Sequence, residues 1–418
     1  MTVYAQKNVT VVGLARSGIA AARLLKNLGA TVRLTEANDS PGLRDSAGQL
    51  EKEGIAVELG GHGKAFVGGA ELLVLSPGVR LDALPVVWAR ESGIGVIGEI
   101  ELAASVCPAP IIAITGTNGK TTTTTLIGEV LKAAGRNAHV LGNIGRPFSQ
   151  NVLSVQPQDF VVLEVSSFQL ETIKNFHPRV ALILNLTPDH MDRYVDIAAY
   201  LQAKKRIFAN QGSEDWLVLN YGDEFLRPLA DQAKARVLFF NNNEESEDFN
   251  QNQMAVLAVT RVLGVDRQVC VDVFKGFKGV EHRLEFVREL GGVEFINDSK
   301  ATNIDSTIWA LKNTRRPAVL IAGGRDKGSD FSSINALVRE KVKYAVLVGE
   351  ASKRIAGAWE GVLPYSAVAT YAEAVCLAQQ KAQAGDCVLL SPMCKSFDMF
   401  TDYEHRGRVF KELVHQLK

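Results

Sequence analysis

Strand-like apolar runs recur along this chain, and helix-like segments separate many of them. Asn8–Val12, Thr31–Leu34, Leu72–Leu75, Ile111–Ile114, Phe160–Glu164, Ala181–Asn185, Trp216–Asn220, Val319–Ala322, Tyr344–Val348 and Cys387–Leu390 read as strands. Ile19–Leu28, Leu126–Ala134, Ala198–Ala209 and Ala372–Ala384 carry helical spacing. The alternation predicts an α/β protein with mostly parallel sheets. The runs fall into three blocks, 1–99, 100–279 and 280–418. Asn241–Gln253, the most polar stretch, predicts an exposed loop.

Composition changes this picture little. The chain has 418 residues, which calls for two or three domains. Its formal net charge is zero, so nothing favours a nucleic acid or a membrane surface as partner. Five cysteines show no metal or redox spacing and read as thiols in a reducing compartment. The first residues, MTVYAQKNVTVVGL, lack signal-peptide character, and no run approaches the ~20 apolar residues of a membrane span. A soluble cytoplasmic protein is expected.

The richest chemistry follows the run Ile111–Ile114. There the chain reads TGTNGKTTTTT and passes into Leu126–Leu131. This is a strand–loop–helix unit suited to phosphate. Gly116, Thr117, Asn118 and Gly119 let successive N–H groups turn inward, and the helix N-terminus adds partial positive charge. Lys120 supplies a cation for the β/γ-phosphates, and Thr121 or Thr122 a hydroxyl for Mg²⁺. The usual first glycine of such a loop is Ile114 here. A nucleoside triphosphate is the expected ligand.

A second glycine turn, Gly13-Leu14-Ala15-Arg16-Ser17-Gly18, follows Asn8–Val12. It resembles a dinucleotide fingerprint with alanine in place of the middle glycine, and Glu36 stands where the fingerprint expects an acid. Loss of that glycine weakens an NAD reading. Another nucleotide diphosphate at the same helix N-terminus is favoured over a bare turn, because Ser76-Pro77-Gly78 follows another strand and can line the same crevice. Further on, Glu164 ends an apolar strand beside the phosphate loop, where a Mg²⁺ ligand belongs. Asp189, His190 and Asp192 cluster after another strand as a candidate metal or substrate site. Lys204, Lys205 and Arg206 by themselves read as a solvated helix face.

Eight strings together resemble the Mur ligases, over almost the whole chain: TGTNGKTT (115–122), GNIG (142–145), EVSSFQLE (164–171), TPDHMDRY (187–194), HRLEF (282–286), NDSKATN (297–303), GGRDKG (323–328) and SPMCKSFDMF (391–400). SSFQLE and NDSKATN point to the branch that takes D-glutamate. The resemblance implies three domains: a Rossmann-like UDP-binding domain, a central P-loop ATPase domain with a mostly parallel sheet, and a Rossmann-like C-terminal domain. It implies ATP-dependent amide formation in peptidoglycan precursor synthesis. The carboxylate of UDP-N-acetylmuramoyl-L-alanine attacks the γ-phosphate, and the amine of D-glutamate displaces phosphate from the acyl phosphate.

The same resemblance implies residue roles. Lys120, Glu164, His190 and Lys204 are catalytic, with Thr121 and Glu164 on one magnesium, His190 on a second, and Lys204 carbamylated by CO₂. That overturns the solvated-face reading for Lys204 alone. ATP is held by Gly116–Thr122, Asn252, Arg283 and Asp298. The UDP-substrate is held by Gly13–Gly18, Glu36, Ser76–Gly78, Asn143 and Ser166. D-Glutamate is surrounded by Thr302, Lys327, Ser396 and Tyr403, and Lys300 joins the site when the domains close. A monomer is implied. One departure stands out: the family's G-x-H-N-x-x-N element is absent before Gln253, and Phe240–Asn252 is shorter than the family leads one to expect. The rivals are a sibling Mur ligase, a folylpolyglutamate synthase, an impaired nucleotide-binding homologue and an NAD-dependent oxidoreductase. The defective fingerprint and the P-loop disfavour the last.

Overall fold

Buried apolar runs become the central strands of three sheets in the computed structural model, which describes residues 3–143, 145–191, 193–242, 249–326 and 328–418. The first sheet holds β1 (Asn8–Val12), β2 (Thr31–Thr35), β3 (Ala56–Glu58), β4 (Leu72–Leu75) and β5 (Gly95–Gly98), in the order β3-β2-β1-β4-β5. The second holds β6 (Ile111–Thr115), β7 (Ala138–Gly142), β8 (Phe160–Glu164), β9 (Val180–Ile183), β10 (Trp216–Asn220) and β11 (Arg236–Phe240), in the order β11-β10-β9-β6-β8-β7. Every pairing in both is parallel. The third holds β12 (Glu285–Leu290), β13 (Val293–Asn297), β14 (Ala318–Ala322), β15 (Val342–Val348), β16 (Tyr365–Val368) and β17 (Cys387–Leu390), in the order β12-β13-β17-β14-β15-β16. Here β12 and β13 form an antiparallel hairpin, turning at Gly291 and Gly292, both with positive φ.

The described chain divides into two compact units, Met1–Leu186 with Ala198–Phe277, and Thr187–Ile197 with Lys278–Lys418. In the first unit the helix Glu99–Ala104 runs from β5 towards the second sheet. Glu101 on that helix accepts the N–H groups of Lys174, Asn175 and Phe176 at 2.9, 2.7 and 2.9 Å. A carboxylate with three donors offsets its own desolvation, each such bond contributing about 1.5–3 kcal/mol.

The core of the second sheet packs Ile112, Ile114 and Leu182 against the helices Lys120–Ala133 and Gln251–Val262. The first of these helices starts well before the Leu126 that its apolar spacing indicates. Its threonine row is helical, with Thr124 Oγ1 donating back to Lys120 O at 2.8 Å. In the second unit separate apolar cores cover the two faces of the third sheet, one around Trp359, Leu320 and Leu389, the other around Phe410, Val346 and Phe295. No helix among the described residues is long and apolar enough to cross a membrane.

Candidate functional site

The first glycine turn sits where neighbouring strands of the first sheet diverge, after β1 and beside β4, the position at which such sheets bind ligands. Gly13 has φ +99°, and a Cβ on it would lie 2.8 Å from Ser76 Cβ. The turn and the Ser76–Gly78 loop therefore touch. A Cβ on Gly18 would strike Gly13 O at 1.9 Å, so only glycine fits there. Glu36 braces the turn: Oε2 accepts the Leu14 N–H at 2.9 Å while Oε1 accepts Asn38 N–H and Nδ2–H at 3.0 Å each. Ala15 and Arg16 are exposed and Ser17 half-buried at the start of the helix Arg16–Asn27, whereas Ser76 is buried, Pro77 half-buried and Gly78 exposed.

After β6 the phosphate loop folds onto the end of β9. Gly116 lies with φ +151° and its missing Cβ would stand 2.9 Å from Leu184 Cβ. Thr117 N–H donates to Asn185 O at 3.1 Å. Asn185 also clamps Asn118, accepting its N–H at 2.8 Å and donating to its carbonyl at 3.1 Å. Sequence reasoning passed over Asn185, although its place at a strand end beside the loop was a signal. Gly119, at φ +82°, caps the helix Lys120–Ala133.

Two lysines converge on one carbonyl of this loop. Lys120 Nζ donates to Gly116 O at 3.0 Å and Thr117 O at 2.9 Å. Lys204 Nζ, from the helix Ile197–Lys205, donates to the same Gly116 O at 2.8 Å. Lys204 is 1% exposed and its ammonium lies 4.3 Å from the centre of the Tyr200 ring. Glu164 ends β8 directly beside β6. Its Oε1 accepts Asn143 Nδ2–H at 2.9 Å, and its carbonyl accepts the Asn143 N–H at 2.9 Å. Ser166 caps the short helix Ser167–Leu170 in a capping box with Gln169. Thr121 is buried. Thr122 Oγ1 is also buried and finds no partner among the described residues. Asn252 leans on the loop: its Oδ1 lies 3.4 Å from Thr123 Oγ1 and would be 2.3 Å from a Cβ on Gly119.

The second unit carries the remaining candidates. His190 has φ +60°. Its N–H donates to Asp189 Oδ1 at 2.8 Å and its Nε2 lies 3.6 Å from Asp189 Oδ2. Asn303 Nδ2–H donates to Asp189 Oδ2 at 3.0 Å. Asp192 and Lys327 lie outside the described residues. Asp298 follows β13 and is fully buried; burial pushes its carboxyl up to about 7, against the pull of Arg283. It accepts Ser391 Oγ–H at 2.9 Å and the Leu284 N–H at 3.3 Å. Lys300 Nζ donates to Tyr403 Oη at 3.2 Å, and Thr302 N–H to Lys300 O at 2.9 Å.

Arg406, a residue that sequence reasoning did not single out, is fully buried. It donates to Ser299 Oγ and O at 3.0 and 2.7 Å and to Cys394 O at 3.1 Å, fixing the loops that carry Lys300 and the buried Ser396. Glu281, His282 and Glu285 also come together, but Lys411 already bonds both acids at 2.6 and 2.9 Å, and Asn297 bonds His282 at 2.9 Å. Burial holds the His282 imidazole below its usual range.

Family models match the chain in three consecutive stretches: "Mur ligase MurD-like, N-terminal domain" over 7–98, "Mur ligase middle domain" over 114–270 and "Mur ligase, glutamate ligase domain" over 282–394. A protein of Salinibacter ruber named UDP-N-acetylmuramoylalanine--D-glutamate ligase is 44% identical over 98% of this chain and 97% of its own length. The chain belongs to the Mur ligase family. Relatives of the same name from Pelotomaculum thermopropionicum and Geotalea daltonii are each 42% identical, over 99% and 98% of this Mur ligase and 99% and 98% of their own lengths.

These alignments span 442–451 positions against the 418 residues of this Mur ligase, so the relatives carry residues that it lacks. Two solved structures share the fold. One is UDP-N-acetylmuramate-alanine ligase MurC from Thermotoga maritima, with TM-score 0.62 and 17% identity over 99% of this chain and 100% of that one. The other is MurF ligase from Thermotoga maritima in complex with ADP, with TM-score 0.60 and 14% identity over 100% of both chains.

Proposed function

We propose that this Mur ligase joins D-glutamate to UDP-N-acetylmuramoyl-L-alanine at the expense of ATP, through an acyl phosphate, in peptidoglycan precursor synthesis. Full-length identity of 40–44% to relatives named for that reaction carries the proposal. The geometry around the phosphate loop supports it. A carboxylate accepts an amine only once its oxygen has become a leaving group, and its attack on the γ-phosphate brings two anions together. Lys120 meets that repulsion with a fixed cation at a helix N-terminus. Gly13–Gly18, braced by Glu36, and Ser76–Gly78 hold the uridine diphosphate, while Asn143 and Ser166 orient the rest of that substrate.

Oxygen donors suit magnesium, and the strand-end Glu164 and the buried Thr122 Oγ1, which has no partner among the described residues, supply them beside Thr121. Thr121 and Glu164 would hold one magnesium, His190 would ligate a second, and a carbamate on Lys204 would help position magnesium. Bound there, the metal neutralises charge developing on the phosphates. The family resemblance assigns Arg283, Asp298 and Lys300 to ATP and the reacting groups. Thr302, Lys327, Ser396 and Tyr403 take D-glutamate, a dicarboxylate that cations and hydroxyls suit. Incubation with ATP, magnesium, UDP-N-acetylmuramoyl-L-alanine and D-glutamate tests the proposal. Mass spectrometry should find the UDP-substrate enlarged by one glutamyl residue, and an unmodified substrate beside consumed ATP would contradict it.

A further inference from the structure

The helix Glu99–Ala104 carries a carboxylate that the mechanism leaves unused. Glu99 is 2% exposed. Its Oε1 accepts the Ser149 N–H at 2.6 Å, and its backbone carbonyl accepts Ser149 Oγ–H at 3.5 Å. Its other oxygen, Oε2, is buried and has no hydrogen-bond partner among the described residues. Glu99 also walls a small cavity of about 10 Å³ with Gly98, Ser76, Pro77, Phe168 and Gln169, close to the space one water occupies.

An apolar side chain would fill such a corner without the desolvation cost of a carboxylate. What distinguishes this corner is its neighbours. Ser76 and Pro77 form the loop that touches the Gly13 turn. Ser149 lies in the helix Phe148–Asn151, which follows Asn143 closely in sequence. Gln169 closes the cap on Ser166. Three separate elements assigned to the UDP-substrate crevice therefore come together around Glu99, one through its carboxyl and two through the cavity it walls.

We propose that Glu99 is a positioning residue for the UDP-substrate: it fixes the helix Phe148–Asn151 and the Ser166 cap against the Ser76–Gly78 loop, so that the three grip one molecule in register. Glu99 touches no reacting atom. The inference rests on the D-glutamate ligase reading given above. Burial pushes the Glu99 carboxyl up to about 6, against the pull of its hydrogen bond from Ser149.

Steady-state kinetics of wild type, Glu99→Leu, Glu99→Gln and Gly98→Ala test the inference, with UDP-N-acetylmuramoyl-L-alanine and ATP varied in turn. Glu99→Leu should raise the KM for the UDP-substrate about tenfold while kcat and the ATP KM stay within about twofold. Glu99→Gln keeps an acceptor for the Ser149 N–H and should hold that KM within about threefold. Gly98→Ala is the second route, should Glu99→Leu fail to fold. Its Cβ would lie 2.1 Å from Thr172 Oγ1, so it displaces the same corner with Glu99 intact and should raise the same KM selectively. Glu99→Leu and Gly98→Ala proteins that leave the UDP-substrate KM within about twofold, or that move kcat and both KM values together, overturn the role of Glu99. Wild type that does not turn over the UDP-substrate overturns the ligase reading instead.

Discussion

Asp298 shows how one buried group ties the chemistry of this protein to pH. An unfolded aspartate titrates near 3.8, whereas burial pushes the folded carboxyl up to about 7. Between those values the folded state binds a proton that the unfolded state has released. The stability Asp298 contributes is therefore complete below the unfolded value and is lost as pH rises through about 7. Asp298→Asn does not titrate, so its melting temperature should gain on wild type between about pH 5 and about pH 8. A difference that stays constant over that range would contradict the burial argument.

Lys204 makes a comparable point about charge. A basic run reads as a solvated face, yet successive helical residues point in different directions. Lys204 is buried against Gly116 O while Lys205, half-buried, donates to Gln232. Only the family strings around it, not the run itself, pointed to Lys204. Lys204→Ala should lower kcat by on the order of 10³-fold with UDP-substrate binding nearly intact, as loss of charge placement at the phosphates requires. Calorimetric titration of the substrate beside turnover checks this, and a fully active variant would remove the proposed carbamate.

Among the elements, legibility follows burial. β1, β4, β8, β10 and β17 have the bounds that their apolar runs predict, because parallel central strands are covered on both faces. The short edge strands β3 and β16 carry half-exposed positions and no such run, so the pattern did not mark them. The hairpin β12–β13 carries no continuous apolar run and went unmarked too; its Gly291-Gly292 turn is the feature of the sequence that signals antiparallel pairing. Local cap chemistry matters at this scale too. The helix Tyr371–Lys381 opens on a capping box in which Thr370 and Glu373 satisfy each other's backbone N–H. Thr370→Ala should cost about 1 kcal/mol of stability and leave turnover unchanged. Denaturant titration of the two proteins checks the first part, and an unchanged midpoint would show that the cap carries no net stability.

At the scale of the whole molecule, alternating strands and helices announced an α/β protein with mostly parallel sheets, and the phosphate loop announced a nucleotide. The allegiance of the Thr187–Ile197 loop was not legible. Its flanks belong to the first compact unit and the loop itself to the second, with Asp189 held by Asn303 from far along the chain. Contacts of that kind leave no periodicity behind. Nor does an apolar pattern explain why Glu99 and Glu101 are buried in an otherwise ordinary helix; their partners are backbone N–H groups of distant turns.

The central claim, that this chain is a D-glutamate-adding ligase, is tested most directly by phosphate release. The protein is given ATP, magnesium and UDP-N-acetylmuramoyl-L-alanine, with D-glutamate, L-glutamate, meso-diaminopimelate or no amino acid. Release that depends on D-glutamate and on none of the others is the predicted result. Release with another amino acid in its place, or with none, would contradict it.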